Sequence, residues 1–173
     1  MSEKIMIVIS GNPGSGKSTL ADLIAPGINA TICCTDDLCM VDGQYQFDPK
    51  LANERHQKNF ENAEECCKSG KNIIIPNTNC SKRNYLIYEE LGKDYGYVIH
   101  HIYLKPNIEE SIQRNLHNVP VETIKAMSYA LVKDFSEHIH EKELKKFEFK
   151  RKIKNWKNKI YYKYLKRYWK RLF

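Results

Sequence analysis

Lys4-Ile5-Met6-Ile7-Val8-Ile9-Ser10 runs straight into Gly11-Asn12-Pro13-Gly14-Ser15-Gly16-Lys17-Ser18-Thr19, and this junction decides the fold. The run from Ile5 to Ile9 is continuously apolar, as expected of a strand buried on both faces of a sheet. After the glycines, Leu20, Leu23 and Ile24 take up helical spacing. A strand, a Gly-rich turn and a helix in that order form the context of the G-x-x-x-x-G-K-[ST] phosphate loop. Its backbone N–H groups make a concave anion site, and the helix adds its positive N-terminal end. Lys17 is placed to reach the β- and γ-phosphates, and the Ser18 hydroxyl to ligate Mg²⁺. Gly11 through Thr19 are therefore assigned to a nucleoside triphosphate, ATP or GTP.

Outward from the loop, strands and helices alternate. Ala30–Cys34 reads as a second strand ending in Thr35-Asp36-Asp37, and Asp42–Pro49 as a turn-rich stretch. A helix is expected over Lys50–Ser69, a strand over Asn72–Ile75 and a helix over Ser81–Tyr95. A fourth strand follows over Tyr97–Leu104, then a short helix from Pro106 to Arg114 and another over Val121–Phe135. This alternation predicts an α/β fold with a parallel sheet and right-handed crossovers.

The chain of 173 residues is one domain's worth with a short appendage. No run approaches the roughly 18 apolar residues of a membrane span, and the first residues do not read as a signal peptide. Cys33/Cys34 and Cys66/Cys67 are adjacent pairs, which suits neither a disulfide framework nor a zinc site; with Cys39 and Cys80 they read as reduced thiols. The expected location is intracellular, cytoplasmic or nuclear. The formal charge of +7 hides an asymmetry. Residues 142–173 hold 14 Lys or Arg against two acidic residues, a net of +12, while the other 141 residues hold 14 basic and 19 acidic, a net of −5. Two parts are expected: a kinase-like body, 1–141, and a basic tail, 142–173.

Ligands of open α/β sheets bind at the carboxyl ends of strands. Asp36 and Asp37 fall at such an end. A carboxylate there accepts the proton of an attacking hydroxyl, while one of the pair, Asp37, reads equally as the cap of the next helix. From Ile5 to Leu131 the chain resembles the 5′-polynucleotide-kinase type of P-loop kinase. The likeness is carried by the loop, Thr35-Asp36-Asp37, Asp42-Gly43-Gln44-Tyr45-Gln46-Phe47, Asn77-Thr78-Asn79 and Arg114-Asn115-Leu116-His117-Asn118-Val119, followed by Ile124 and Met127. The resemblance implies a five-stranded parallel sheet in 2-3-1-4-5 order. It also implies Mg²⁺-dependent transfer of an NTP γ-phosphate to a 5′-hydroxyl of RNA or DNA. It maps the general base, and a second Mg²⁺ ligand beside Ser18, onto Asp36, and the charge-stabilising lid arginine onto Arg114. Asp37, Asn77, Thr78, Asn79 and His117 are grouped with the acceptor. Two departures stand out: Cys39 occupies the place of an arginine that binds acceptor phosphate in phage-type members, and Pro76-Asn77 lacks an aspartate usual before Thr-Asn. Kinases of a small metabolite or nucleoside, and a weakly active nucleotide-dependent nucleic-acid-binding protein, remain alternatives.

In the tail, Ile153, Trp156, Ile160, Tyr164, Tyr168 and Leu172 recur in steps of three and four, opposite a Lys/Arg face. Three readings compete: a docked helix with a solvated basic face, a nucleic-acid contact through phosphates and stacked bases, and a helix on an anionic membrane surface.

Overall fold

The computed structural model describes residues 3–134. The expected boundary between residues 141 and 142, and all three readings of the tail, fall outside the described residues. Strand β1 (Ile5–Ser10) leads through the glycine loop into α1 (Lys17–Ile28), followed by β2 (Ala30–Ile32). A short 3-10 turn, Asp36–Cys39, precedes a hairpin of β3 (Met40–Val41) and β4 (Gln44–Tyr45). A second 3-10 turn, Pro49–Leu51, runs into α2 (Ala52–Lys68); β5 (Asn72–Ile75), α3 (Lys82–Asp94), β6 (Val98–Tyr103) and α4 (Ile108–Gln113) complete the series. A further helix, α5, starts at 121 and continues to the last described residue, 134.

The main sheet is parallel in the order β2-β5-β1-β6, which is the expected order through its fourth position. This sheet has four strands, not five, among the described residues. β1 is central, pairing Met6 with Ile73 on one side and with Ile99 on the other. Its side chains divide between the two faces, as the two-residue period requires. Met6 and Val8 join Ile73 and Ile75 beneath α2 and α3, with Ala63, Cys67, Tyr85, Tyr88 and Leu91. Ile7 and Ile9 join Ile74 beneath α1, with Leu20, Ala21, Ile24 and Ala25. Each fully buried side chain of this kind contributes about 1.5–3 kcal/mol, so β1 holds both layers together and its carboxyl end is held rigidly.

Several boundaries shift. β2 stops at Ile32, although Cys33 N still donates to Ile74 O at 2.8 Å, so Cys33 and Cys34 extend the edge without being strand. The stretch read as a plain turn region contains the β3–β4 hairpin, closed by Asp42 (φ 50°) and Gly43 (φ 76°), both left-handed as a two-residue hairpin turn needs. All six cysteines are free thiols.

Candidate functional site

The loop is shaped as an anion receptor. α1 opens after the left-handed Gly16 with no side-chain cap and no acidic residue in its first turn. Its first N–H groups therefore lack intrahelical partners and its positive end faces the loop. Ser15 Oγ is buried with no hydrogen-bond partner, a donor of the kind that a bound phosphate oxygen satisfies. These features fit a triphosphate. Lys17 is buried and its Nζ donates to Asn12 O at 2.7 Å. Burial, the largest influence, lowers its pKa; the Asp36 carboxylate leads the groups that raise it. The Asp36 carboxylate thus acts on the Lys17 charge at the mouth of the loop. Ser18 and Thr19 lie exposed on the first turn of α1, where the Ser18 hydroxyl faces solvent.

The rest of the loop is clamped from outside. Asn12 is buried and its amide donates to Ser128 Oγ, which in turn donates to Ile124 O at 2.9 Å. Its side chain thus ties the loop to α5, and its backbone carbonyl holds Lys17. Pro13 is buried beside it. Gly14 has φ 73°, and a Cβ there would lie 2.9 Å from Ser111 O and 3.1 Å from both Cβ and O of Arg114. The end of α4, which starts the Arg114 loop, is packed directly on the phosphate loop.

Asp36 and Asp37 lie in the 3-10 turn after β2. That turn is capped by Thr35 without a side-chain bond, so the reading of Asp37 as a cap is corrected. Asp37 instead sits exposed in the first turn. Its pKa is raised by partial burial first, then by the charges of Asp36 and Asp22. Asp36 is half-buried and accepts from Tyr45 Oη at 3.5 Å, the long end of the hydrogen-bond range.

Asn77-Thr78-Asn79 stitches three strand ends together. Asn77 Oδ1 accepts from Thr35 N at 2.9 Å, Thr78 O accepts from Gly11 N at 3.0 Å, and Asn79 Nδ2 donates to Ile9 O at 3.1 Å. Both asparagines are buried. Their amides have structural partners, whereas Thr78 is half-exposed and its carbonyl meets the first residue of the loop.

Arg114 caps α4 and pairs with Glu110 one turn back, both side chains being well exposed at 58% and 39%. An exposed pair of this kind is worth about 0–1 kcal/mol, so little holds the guanidinium away from a more negative ligand. The loop beyond is closed on itself by Asn115, whose amide donates to Val119 O at 2.7 Å and whose Oδ1 accepts from Val119 N at 3.0 Å. The His117 ring packs against Tyr45, with centroids 3.7 Å apart and the planes tilted by 31°. The hairpin, Asp36 and the Arg114 loop therefore meet at one place.

Residues absent from the sequence-based site complete it. Tyr45 bridges Asp36 and His117, and Arg55 of α2 reaches Cys39 Sγ at 3.3 Å and Gln46 O at 2.9 Å. The Asp-Gly turn was the signal for the first; a single arginine on a polar helix gives none. Behind the loop, Ser10 Oγ contacts His101 Nε2 at 2.8 Å, and His101 Nδ1 contacts Glu89 Oε1 at 2.9 Å, all three buried. This chain props the residue before Gly11 from the core side.

Residues 6–129 match the family model AAA_33, described as an AAA domain. Among known proteins, the chain is 34% identical over 131 residues to human NEDD4-binding protein 2, a match that takes in 71% of this chain and 7% of that protein. A chain of the Pnkp1/Rnl/Hen1 RNA repair complex superposes with a TM-score of 0.66 at 20% identity, over 79% of this chain and 47% of that one. The Mycobacterium tuberculosis APS kinase CysC, solved with AMPPNP and APS, superposes with a TM-score of 0.53 at 17% identity, over 68% of this chain and 71% of that one. The chain thus spans less than half the length of the first two. Among the described residues no helix is long and apolar enough to cross a membrane. On the strength of the family match over residues 6–129, the chain belongs to the AAA_33 family of AAA domains, and with its phosphate loop and strand order it has a P-loop kinase-type fold.

Proposed function

We propose that the domain is an NTP- and Mg²⁺-dependent polynucleotide 5′-hydroxyl kinase. The observation that carries this reading is the convergence on the loop mouth of Lys17, Asp36 and the Arg114 segment, with Asp36 close enough for its charge to oppose the lowering of the Lys17 pKa by burial. The triphosphate lies along Gly11–Ser18, with Lys17 against the β- and γ-phosphates. Asp36 accepts the proton of the 5′-hydroxyl as its oxygen bonds to the γ-phosphorus. The bond from that phosphorus to the β–γ bridging oxygen breaks, and the nucleoside diphosphate leaves. Arg114 exchanges Glu110 for the transferring phosphoryl group and offsets its charge. Mg²⁺ would be held on the protein side by Ser18 and Asp36, where it would offset the negative charge of the triphosphate.

On the acceptor side, the Thr78 hydroxyl, the Asp37 carboxylate and the His117 ring would meet the acceptor beside Asp36, while Asn77 and Asn79 hold the segment in place. RNA or DNA is the acceptor class that gives the +12 segment at 142–173 a purpose. The test is transfer of labelled γ-phosphate from ATP and from GTP to 5′-hydroxyl RNA, 5′-hydroxyl DNA, nucleosides and sugars. Label on the oligonucleotides supports the reading. Label confined to sugars or free nucleosides overturns it in favour of a metabolite kinase, and none anywhere in favour of a nucleotide-binding protein without turnover.

A further inference from the structure

Between α2 and α3, on the sheet face away from α1, lies an open groove of about 500 Å³ that the mechanism above does not use. Leu91 belongs to the core cluster beneath these helices, Phe60 and Tyr95 pack against it, and Ile87 beside them stands 43% exposed. Three carboxylates complete the lining, Glu64, Glu90 and Asp94, with no lysine or arginine among them. Glu64 is occupied, pairing with Lys68 at 3.0 Å and accepting from Tyr95 Oη at 3.2 Å. Glu90 and Asp94 are exposed, one turn apart on α3, and pair with no described cation. An apolar floor edged by carboxylates repels a phosphate backbone and an anionic lipid surface alike. It suits apolar side chains flanked by cations.

This chain carries such a segment. Residues 151–160 read Arg-Lys-Ile-Lys-Asn-Trp-Lys-Asn-Lys-Ile, five cations and no acid, with Ile153, Trp156 and Ile160 at the three- and four-residue steps that put side chains on one helix face. The segment is also within reach. The last described residue, Asp134, lies beside Tyr85 of α3, whose phenol feels its carboxylate. From there Ile87 and Asp94 are about 3 and about 14 Å further along the helix axis. Residues 135–152 span up to about 60 Å when extended. Tethering on this scale holds the segment near the groove at an effective concentration of roughly millimolar.

We propose that residues 151–160 of the same chain dock in the α2–α3 groove, Trp156 entering between Phe60, Ile87 and Leu91 while the neighbouring lysines meet Glu90 and Asp94. This goes beyond the kinase reading and does not depend on it. Only the first part of the basic segment is used, so the cations from Lys163 to Arg171 stay available to phosphate.

Trp156 and Trp169 are the two tryptophans of the chain, so Trp169→Phe makes the emission of Trp156 the reporter in an otherwise full-length protein. Blue-shifted emission and low quenching by acrylamide are expected, both unchanged on dilution. Glu90→Lys with Asp94→Lys is expected to weaken docking about tenfold, because two exposed attractions become repulsions, and to open Trp156 to the quencher. Adding Lys157→Glu and Lys159→Glu to that chain is expected to restore protection. The same charge change away from the groove, Glu109→Lys with Glu122→Lys, should leave quenching as it was. Melting temperature and donor affinity report whether each variant folds. Free quenching of Trp156 in the parent overturns the proposal, as does protection that arises only with added oligonucleotide or anionic vesicles. Protection lost on dilution overturns it in favour of a second copy. Undiminished protection in a folded Glu90→Lys/Asp94→Lys chain places the segment elsewhere and overturns it too. If that variant does not fold, undiminished protection in Glu90→Gln with Asp94→Asn does the same.

Discussion

Gly14→Ala tests whether the phosphate loop and the Arg114 segment form one packed unit. Gly14 is left-handed at φ 73°, which costs an L-residue roughly 1–2 kcal/mol. A methyl there also arrives 2.9 Å from Ser111 O and 3.1 Å from the Arg114 backbone and Cβ. Those neighbours are main chain at the end of a helix and cannot swing aside, so overpacking adds about 1–3 kcal/mol. The total expected is about 2–5 kcal/mol. Gly43 supplies the control, because it has φ 76° but a methyl added there would meet nothing within 4 Å. Gly43→Ala carries the conformational cost alone, about 1–2 kcal/mol. Denaturant unfolding of both variants without nucleotide gives the difference directly, and titration with the donor nucleotide gives its functional counterpart. Gly14→Ala is expected to be the less stable by at least about 1 kcal/mol and to weaken donor binding about tenfold or more, while Gly43→Ala leaves donor affinity unchanged. Equal midpoints and equal donor affinities for the two variants would refute the packing argument.

Lys17→Ala is expected to abolish phosphoryl transfer with little change in melting temperature, since the ammonium contacts one carbonyl within the fold; wild-type turnover in a folded variant removes the loop from the chemistry. Asp36→Asn should keep donor affinity within a few-fold and lower kcat by roughly 10²-fold or more, the usual scale of a general base, whereas dispensability of Asp36 beside an essential Asp37 would exchange their roles. For Asp37 the fold raises the pKa above its ordinary 3.8, so the ionised carboxylate opposes folding. That cost is absent below the ordinary value and complete above the raised one, so Asp37→Asn should be more stable than the parent at pH 7 and no more stable near pH 3; a constant difference across that range contradicts it. Truncation after Glu141 should weaken oligonucleotide binding and flatten its dependence on salt without altering donor binding, and unchanged slopes in a folded body would take the nucleic-acid role from the tail.

What the sequence disclosed depended on how local each signal was. The β1–loop–α1 unit was legible because an uninterrupted apolar run and fixed glycine spacing lie within 20 consecutive residues. Alternation announced a parallel sheet, but its order came from the resemblance, since no local pattern says that β5 lies between β1 and β2. The β3–β4 hairpin escaped because two-residue strands are too short to show a period, although Asp42-Gly43 marked its turn. The partnership of Ser10, His101 and Glu89 spans about 90 residues. His101 read simply as a strand residue, because burial and a carboxylate neighbour are properties of packing. Arg55 was hidden for the same reason: its seat is a thiol 16 residues away on another element.

The departure at Pro76-Asn77 gains a physical account on the same basis. An aspartate at 77 would place a carboxylate where the fold now uses both ends of an amide. Asn77 Oδ1 accepts from Thr35 N at 2.9 Å, and its Nδ2 donates to Tyr88 Oη at 3.4 Å. Tyr88 Oη is already taken by Asn59 Nδ2 at 3.1 Å, and Asn59 also reaches Cys33 O at 3.3 Å. Two amides and a phenol thus tie the end of β2 to α2 and α3 in a buried, uncharged network. The thiols beside it are pushed up by burial, Cys33 to about 12 and Cys34 to about 11, so this pocket disfavours negative charge. A carboxylate added there would carry a desolvation cost with no cation of its own to offset it. Asn77 is what this neutral network calls for, and the burden of negative charge at the strand ends falls on Asp36, which stands half-exposed where Lys17 attracts it.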